Sequence, residues 1–196
     1  MDASAPTGRH ISFKEYLELE RSSEIRHEYY QGEIFAMSGG SKNHNRLVRN
    51  MARILEDKFL PQGCDVFAEN VKLEVISKVY YPYPDIMLVC EREETEDAYI
   101  ARNPRLLVEV TSPNTEANDR GFKLRRYQKI PSLQYYLIVS QSDYLVDVYG
   151  RQSRNHLWTY RLYEGEDTEI DLQWLDLRFD LHTLYQYVDF GQPDEK

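Results

Sequence analysis

Asp85, Glu109 and Lys123 are the residues of this chain whose types and spacing could do chemistry. Asp85 follows Pro84 at the mouth of the apolar run Ile86-Met87-Leu88-Val89, and Glu109 interrupts Leu106-Leu107-Val108 and Val110. Lys123 comes shortly after, in Asp119-Arg120-Gly121-Phe122-Lys123. Two rigidly held carboxylates and an ammonium are the groups needed to hold a hard divalent cation and steer a water at a phosphodiester. Each also has a bland reading. Asp85 can be a turn former at a strand start, Glu109 a solvent-facing or arginine-paired glutamate, and Lys123 a solvated lysine. A buried carboxylate is expensive unless paired or metal-bound, so Glu109 is the hardest to dismiss.

The elements that must position these residues follow from pattern. Ser12 with Glu15 is a capping box opening a short amphipathic helix to about Arg21. The runs around His27–Tyr30 and Glu33–Ala36 flank Gln31-Gly32 and read as a hairpin. If Gln31-Gly32 is its turn, Tyr30 pairs with Glu33 and Glu28 with Phe35, leaving Glu28 and Glu33 diagonal neighbours on one face. Ser41 or Asn43 caps a helix from about 43 to 60, with the stripe Leu47, Val48, Met51, Ile54, Leu55 and Phe59. His44 lies on that stripe, where a histidine is a core residue, a cap or a site residue.

Strands are expected over 64–67, 71–76, 85–90 and 105–111, then a helix from about Asn118 to Lys129, stopped before Pro131. Asp119 is expected to cap this helix, and Tyr127 to pack one turn beyond Lys123. Tyr135–Val139 reads as a strand buried on both faces. Leu145–Tyr149 and Trp158–Leu162 read as an outer antiparallel pair whose apolar edge points to a homodimer. A short strand within 168–180 and a last helix over 181–188 complete the chain, with loose ends at 1–10 and beyond Asp189. The class is α/β (α+β): a mixed sheet flanked by helices, with additional antiparallel strands, in one domain spanning 1–196.

Composition sets the bounds. The 196 residues are 41% hydrophobic, enough for one ordinary core. No stretch of about 18 apolar residues predicts a membrane helix, and the N-terminus lacks the pattern of a secretory signal. Cys64 and Cys90, each beside apolar residues, read as reduced core residues of a cytoplasmic protein. The net charge of −9 argues mildly against a nucleic-acid partner. Two acidic clusters, 91–97 and 164–171, read as solvated loops, while Arg120, Lys123, Arg125, Arg126 and Lys129 gather beside the candidate site. The 16 tyrosines read first as core. No P-loop, nucleophile elbow or zinc spacing is present.

Taken in order, these pieces resemble the PD-(D/E)xK restriction-endonuclease-like superfamily, and within it the Uma2-like family, formerly a domain of unknown function found in cyanobacteria. The resemblance spans nearly the whole chain: Tyr16-Leu17, Glu28 to Ile34, His44-Asn45, Tyr83-Pro84-Asp85, Val108 to Pro113, and Asp119 to Lys123 with Tyr127. It continues through Ile130-Pro131-Ser132-Leu133 and Tyr136 to Val139. It implies a restriction-endonuclease-like core and metal-dependent hydrolysis of DNA. Asp85, Glu109 and the Val110 carbonyl would hold Mg²⁺ or Mn²⁺, with Lys123 as the third catalytic residue. It also implicates Glu28, Glu33 and His44. The superfamily lysine usually sits two residues after the acid, where this chain has Thr111; in the Uma2-like pattern it lies on the following helix, as Lys123. The acidic balance and this displacement leave a second reading open, a weakly active or inactive nucleic-acid- or protein-binding module on the same fold.

Overall fold

The computed structural model describes residues 10–37, 39–91 and 98–191. Most of the expected N-terminal arm, the acidic loop at 92–97 and the end of the tail lie outside the described residues. The first helix, α1 (Phe13–Ser22), opens with the expected box: Ser12 accepts from the Glu15 amide, and the Glu15 side chain accepts from the Ser12 amide. The hairpin is β1 (His27–Tyr30) and β2 (Glu33–Ala36), in the expected register. Gln31 and Gly32 both have positive φ, 49° and 92°, as a two-residue hairpin turn demands. Helix α2 (Lys42–Phe59) is capped by Ser41, whose hydroxyl accepts from the His44 amide.

A six-stranded sheet forms the centre. It consists of β3 (Asp65–Ala68), β6 (Ile86–Val89), β8 (Leu106–Thr111), β9 (Tyr135–Ser140), β10 (Leu145–Gly150) and β11 (Thr159–Glu164), in the order β11-β10-β9-β8-β6-β3. Only β8 and β9 run parallel; every other neighbouring pair is antiparallel. Strands β6 and β8, and all of β9 but Ser140, are buried on both faces. Strand alternation divides the core between the two faces. Leu106, Val108 and Val110 pack with Leu47, Met51 and Leu55 of α2, while Leu107 packs with Tyr127 and Tyr136 on the opposite face. Each such large apolar side chain contributes about 1.5–3 kcal/mol by burial. Nine of the 16 tyrosines are buried, so the core reading holds for most of them.

Several expectations need correction. The strand expected over 71–76 shrinks to β4 (Lys72–Leu73), which pairs with a second short strand, β7 (Ile100–Ala101). Strand β5 (Tyr80–Tyr81) extends the hairpin into a three-stranded sheet. Between 168 and 180 there are two strands, β12 (Glu169–Leu172) and β13 (Leu177–Asp180), and the last helix is one turn, α4 (Leu181–Leu184). The helix after Glu109 is π-helical over Asn118–Lys123 before continuing as α3 (Leu124–Tyr127). Val146 and Val148 of the expected dimer edge face the core, which leaves Leu157, Tyr160 and Leu162 exposed.

Cys64 and Cys90 are joined as a disulfide, against the reduced reading. The reason is register. Asp65 pairs with Val89, so the next step outward sets Cys64 opposite Cys90, with Cα atoms 4.1 Å apart. The cysteine argument for a cytoplasmic location lapses with it. The bond closes a 26-residue separation, for which chain entropy gives about 3–4 kcal/mol. Reduction, or the double change Cys64→Ser/Cys90→Ser, is expected to lower the urea unfolding free energy by about that amount. Thiol counting on the denatured, unreduced protein checks the bond, since any free thiol titrating there removes it. Among the described residues no helix is long and apolar enough to cross a membrane.

Candidate active site

The cleft at the C-terminal end of β8 gathers most of the residues singled out from sequence. In the β6–β8 pair Ile86 lies opposite Val108. One step further, Asp85 stands beside Glu109 on the same face, and both line the cleft. The two are near enough for the Asp85 charge to help raise the Glu109 pKa. The strand geometry that makes this possible comes from Pro84, which forces an extended entry and frees Asp85 to turn its side chain onto β8. Asp85 Oδ2 accepts from the Val110 amide at 2.7 Å.

Lys123 reaches the site from its displaced position. Its ammonium is 3.0 Å from Glu109 Oε2, 3.5 Å from Asp119 Oδ1 and 3.7 Å from Glu28 Oε1. Asp119 and Lys123 are four apart on the same helical stretch, the spacing at which side chains meet, so Asp119 lies beside Lys123. Asp119 is therefore a buried ion-pair partner; the turn begins after Ala117 and has no side-chain cap. Tyr127 does more than pack: its hydroxyl donates to Glu109 Oε1 at 2.8 Å. Thr111, where the superfamily lysine usually stands, instead shares a hydrogen bond with Thr115 at 3.1 Å.

His44 enters from α2. Its Nε2 lies 3.4 Å from Asp85 Oδ1 and 3.5 Å from Glu69 Oε1, so it addresses these acids rather than Glu28. Glu28 lines the cleft and also accepts from the Tyr83 amide at 3.4 Å. Glu33 does not join them. The register puts it on the face of Glu28 but beside the turn, about 7 Å further along the strand, where it is exposed.

Charge is in surplus here. Burial works against the Lys123 ammonium, yet Glu109, Glu28 and Asp119 hold its pKa well above the ordinary lysine value. Burial pushes Glu109 well above the carboxylate range; Lys123 opposes this, and Asp85, Asp119 and Glu28 add to it. The ammonium keeps its proton, and the upward push on Glu109 reflects a crowding of carboxylates that a further cation would relieve. Burial lowers His44, but the Asp85 hydrogen bond and charge, then Glu69 and the Val110 carbonyl, raise it overall.

The donor set fits a hard divalent cation. The carboxylates of Asp85 and Glu109 are oxygen ligands of the right kind, and the Val110 carbonyl beside them takes a hydrogen bond from His44. Among the described residues no group of three or more His, Cys, Asp or Glu side chains is arranged to hold a metal. Asp85, Glu109 and the Val110 carbonyl would supply only part of such an ion's oxygen shell.

Sequence reasoning missed Glu69, Thr115, Asn118 and Tyr80. Glu69 has φ 53°, a left-handed conformation uncommon for a glutamate. Thr115 and Asn118 line the cleft. Tyr80 is buried, its pKa is pushed up first by burial and then by Glu28, and its hydroxyl has no hydrogen-bond partner among the described residues. None of the four breaks a local pattern; each is brought in by long-range packing.

The chain is similar to several known proteins. Residues 13–182 match the model of the Uma2 family, described as "Putative restriction endonuclease". An uncharacterized protein of Synechocystis sp. (strain ATCC 27184 / PCC 6803 / Kazusa) is 32% identical over 187 residues, covering 95% of this chain and 97% of its own length. A second uncharacterized Synechocystis protein is 31% identical over 173 residues, 87% of this chain and 97% of its own. A crystal structure from Anabaena variabilis ATCC 29413, titled as that of "a putative nuclease belonging to DUF820", superposes with a TM-score of 0.72. It is 19% identical and covers 91% of this chain and 99% of its own, a likeness of fold. With a family match over most of its length and the fold of a nuclease-like protein, the chain belongs to the Uma2 family.

Proposed function

We propose that the chain is a divalent-metal-dependent endonuclease acting on DNA. The observation that carries this is the meeting of Asp85, Glu109 and Lys123 in one cleft, with the Lys123 ammonium 3.0 Å from Glu109. Asp85, Glu109 and the Val110 carbonyl would hold Mg²⁺ or Mn²⁺. Such an ion supplies charge at the phosphate and activates a water. Lys123 acts as a point charge at the phosphate or the attacking water, held in place by Asp119 and Glu28. Tyr127 fixes one oxygen of Glu109 and so orients the other. His44 holds Asp85 from the α2 side and presents a proton to a phosphate entering over Glu69. A homodimer paired along the exposed edge of β11 belongs to the same proposal.

The direct test is nicking of supercoiled plasmid with Mn²⁺, with Mg²⁺ and with EDTA. Cleavage is expected with either ion and none with EDTA. In parallel, Mn²⁺ is expected to raise the melting temperature, because it binds only the folded site. DNA binding without cleavage under every metal condition would favour the binding-module reading instead.

A further inference from the structure

The cleft itself is small. Its free volume is about 40 Å³, room for an ion and a few waters but not for a nucleotide. Whatever flanks the scissile phosphate must rest elsewhere. A second pocket of about 460 Å³ meets, at Tyr83, the groove that leads from the cleft, and it is within the size range of small-ligand sites. Its walls include Arg21, Arg26, Asn70, Lys72 and Tyr83, with Glu20 in the floor.

Among the described residues this pocket has three cations against one carboxylate, in a chain of net charge −9. The carboxylate is already engaged. Glu20 Oε1 accepts from the His27 amide and faces its imidazole Nδ1, each at 3.0 Å. Glu20 Oε2 accepts from the Tyr83 hydroxyl and faces Lys72 Nζ at 3.4 Å. Lys72 also donates to the Tyr83 hydroxyl at 3.1 Å. Glu20, Lys72 and Tyr83 are all at least nine-tenths buried. Lys72 and Glu20 pair with each other, and Arg21 and Arg26 add positive charge at the rim, Arg26 Nη1 donating to the Glu20 carbonyl at 3.0 Å.

Two features join the pocket to the candidate active site. Tyr83 lines it and also lines the groove that carries His44, Asp85 and Val110. Glu69 of that groove and Asn70 of the pocket are consecutive and both left-handed, at φ 53° and 55°. Unfavourable backbone of this kind persists where the surrounding structure enforces it, and it clusters at ligand sites.

We infer that the Arg21–Arg26–Lys72 pocket binds a backbone phosphate of the DNA strand next to the one cleaved. The inference rests on the nuclease reading for its ligand. Arginine at the rim gives paired, charge-assisted hydrogen bonds to phosphate oxygens, and Tyr83 sets the spacing from Asp85. The strand would run from the groove over Asp85 into the basic pocket.

The test is fluorescence anisotropy of a short labelled DNA duplex with a single-stranded overhang, in EDTA, across a salt series. Arg21→Ala and Arg26→Ala are each expected to weaken binding about tenfold and to reduce the salt slope by about one. Arg26→Lys should retain the slope, which a purely structural role for Arg26 would not predict. Arg178→Ala, which removes a cation paired to Asp171 at 3.1 Å outside the pocket, should change neither. If the wild type cleaves DNA but both arginine variants keep its affinity and slope, the inference falls and the nuclease reading stands. If the wild type binds with an arginine-dependent slope but never cleaves, the pocket's contact with a backbone phosphate stands, and the nuclease reading falls together with the scissile neighbour it supplies. Binding of AMP that depends on the arginines, with oligonucleotide affinity unchanged, would assign the pocket to a free nucleotide and overturn the strand assignment.

Discussion

Asp85→Asn is expected to lose at least about a hundredfold of the Mn²⁺-dependent nicking while keeping the fold. The amide carbonyl of asparagine can still accept the Val110 amide that Asp85 Oδ2 accepts at 2.7 Å, so the backbone of β8 keeps its partner. What disappears is one formal negative charge beside Glu109, and with it a strong oxygen ligand. Asp85→Ala is a harsher test, since it leaves a buried amide unpaired at a cost of about 1–3 kcal/mol. A reporter independent of activity is His44, whose pKa is lowered by burial and raised by Asp85. In Asp85→Asn the imidazole should titrate below its wild-type value, readable from its ring-proton resonance. Wild-type cleavage by Asp85→Asn would remove Asp85 from the proposed metal set.

How much of this was legible in the sequence depends on how local each signal is. Glu109 could be found because one charge in an otherwise apolar strand has no ordinary place. The hairpin register could be read because Gln31-Gly32 leaves one way to pair the flanking runs. Distinguishing Glu28 from Glu33 was beyond that register, which gives a shared face but not which end of the hairpin meets the central sheet. Asp119 is not a cap because the π-helical winding of Asn118–Lys123 starts before it and its carboxylate faces Lys123. Nothing in the local pattern of Asp119-Arg120-Gly121-Phe122-Lys123 distinguishes that winding from an α-helix. The disulfide was hidden for a similar reason: Cys64 and Cys90 meet only once β3 is known to pair with β6. Composition alone favours reduced thiols, and register overruled it. Glu69 enters through its contact with His44 and was unmarked in sequence.

Lys123→Met should be the most destabilising single change at this site, and its pH dependence distinguishes electrostatics from packing. The ammonium is buried among Glu109, Asp119 and Glu28, at 3.0, 3.5 and 3.7 Å. Removing it leaves those carboxylates without their buried cation, a loss of about 3–5 kcal/mol. The sign with pH follows from Glu109. Burial raises its folded pKa well above the ordinary value, and Lys123 is the group that pulls it back. In the variant the folded value rises further, so the folded state binds more protons than the unfolded one above the ordinary carboxylate range, and stability falls as pH rises through that window. The gap in urea midpoint between wild type and Lys123→Met is therefore expected to be widest near neutral pH and to narrow as pH drops toward the ordinary glutamate pKa. A gap that stays constant with pH would mean that packing, not charge, sets the loss. Mn²⁺ offers a second check. A divalent ion replaces part of the missing charge, so it should raise the melting temperature of Lys123→Met more than that of the wild type. The same variant should cleave poorly even when saturated with metal, because the ion restores the balance of charge but not the ammonium beside the phosphate.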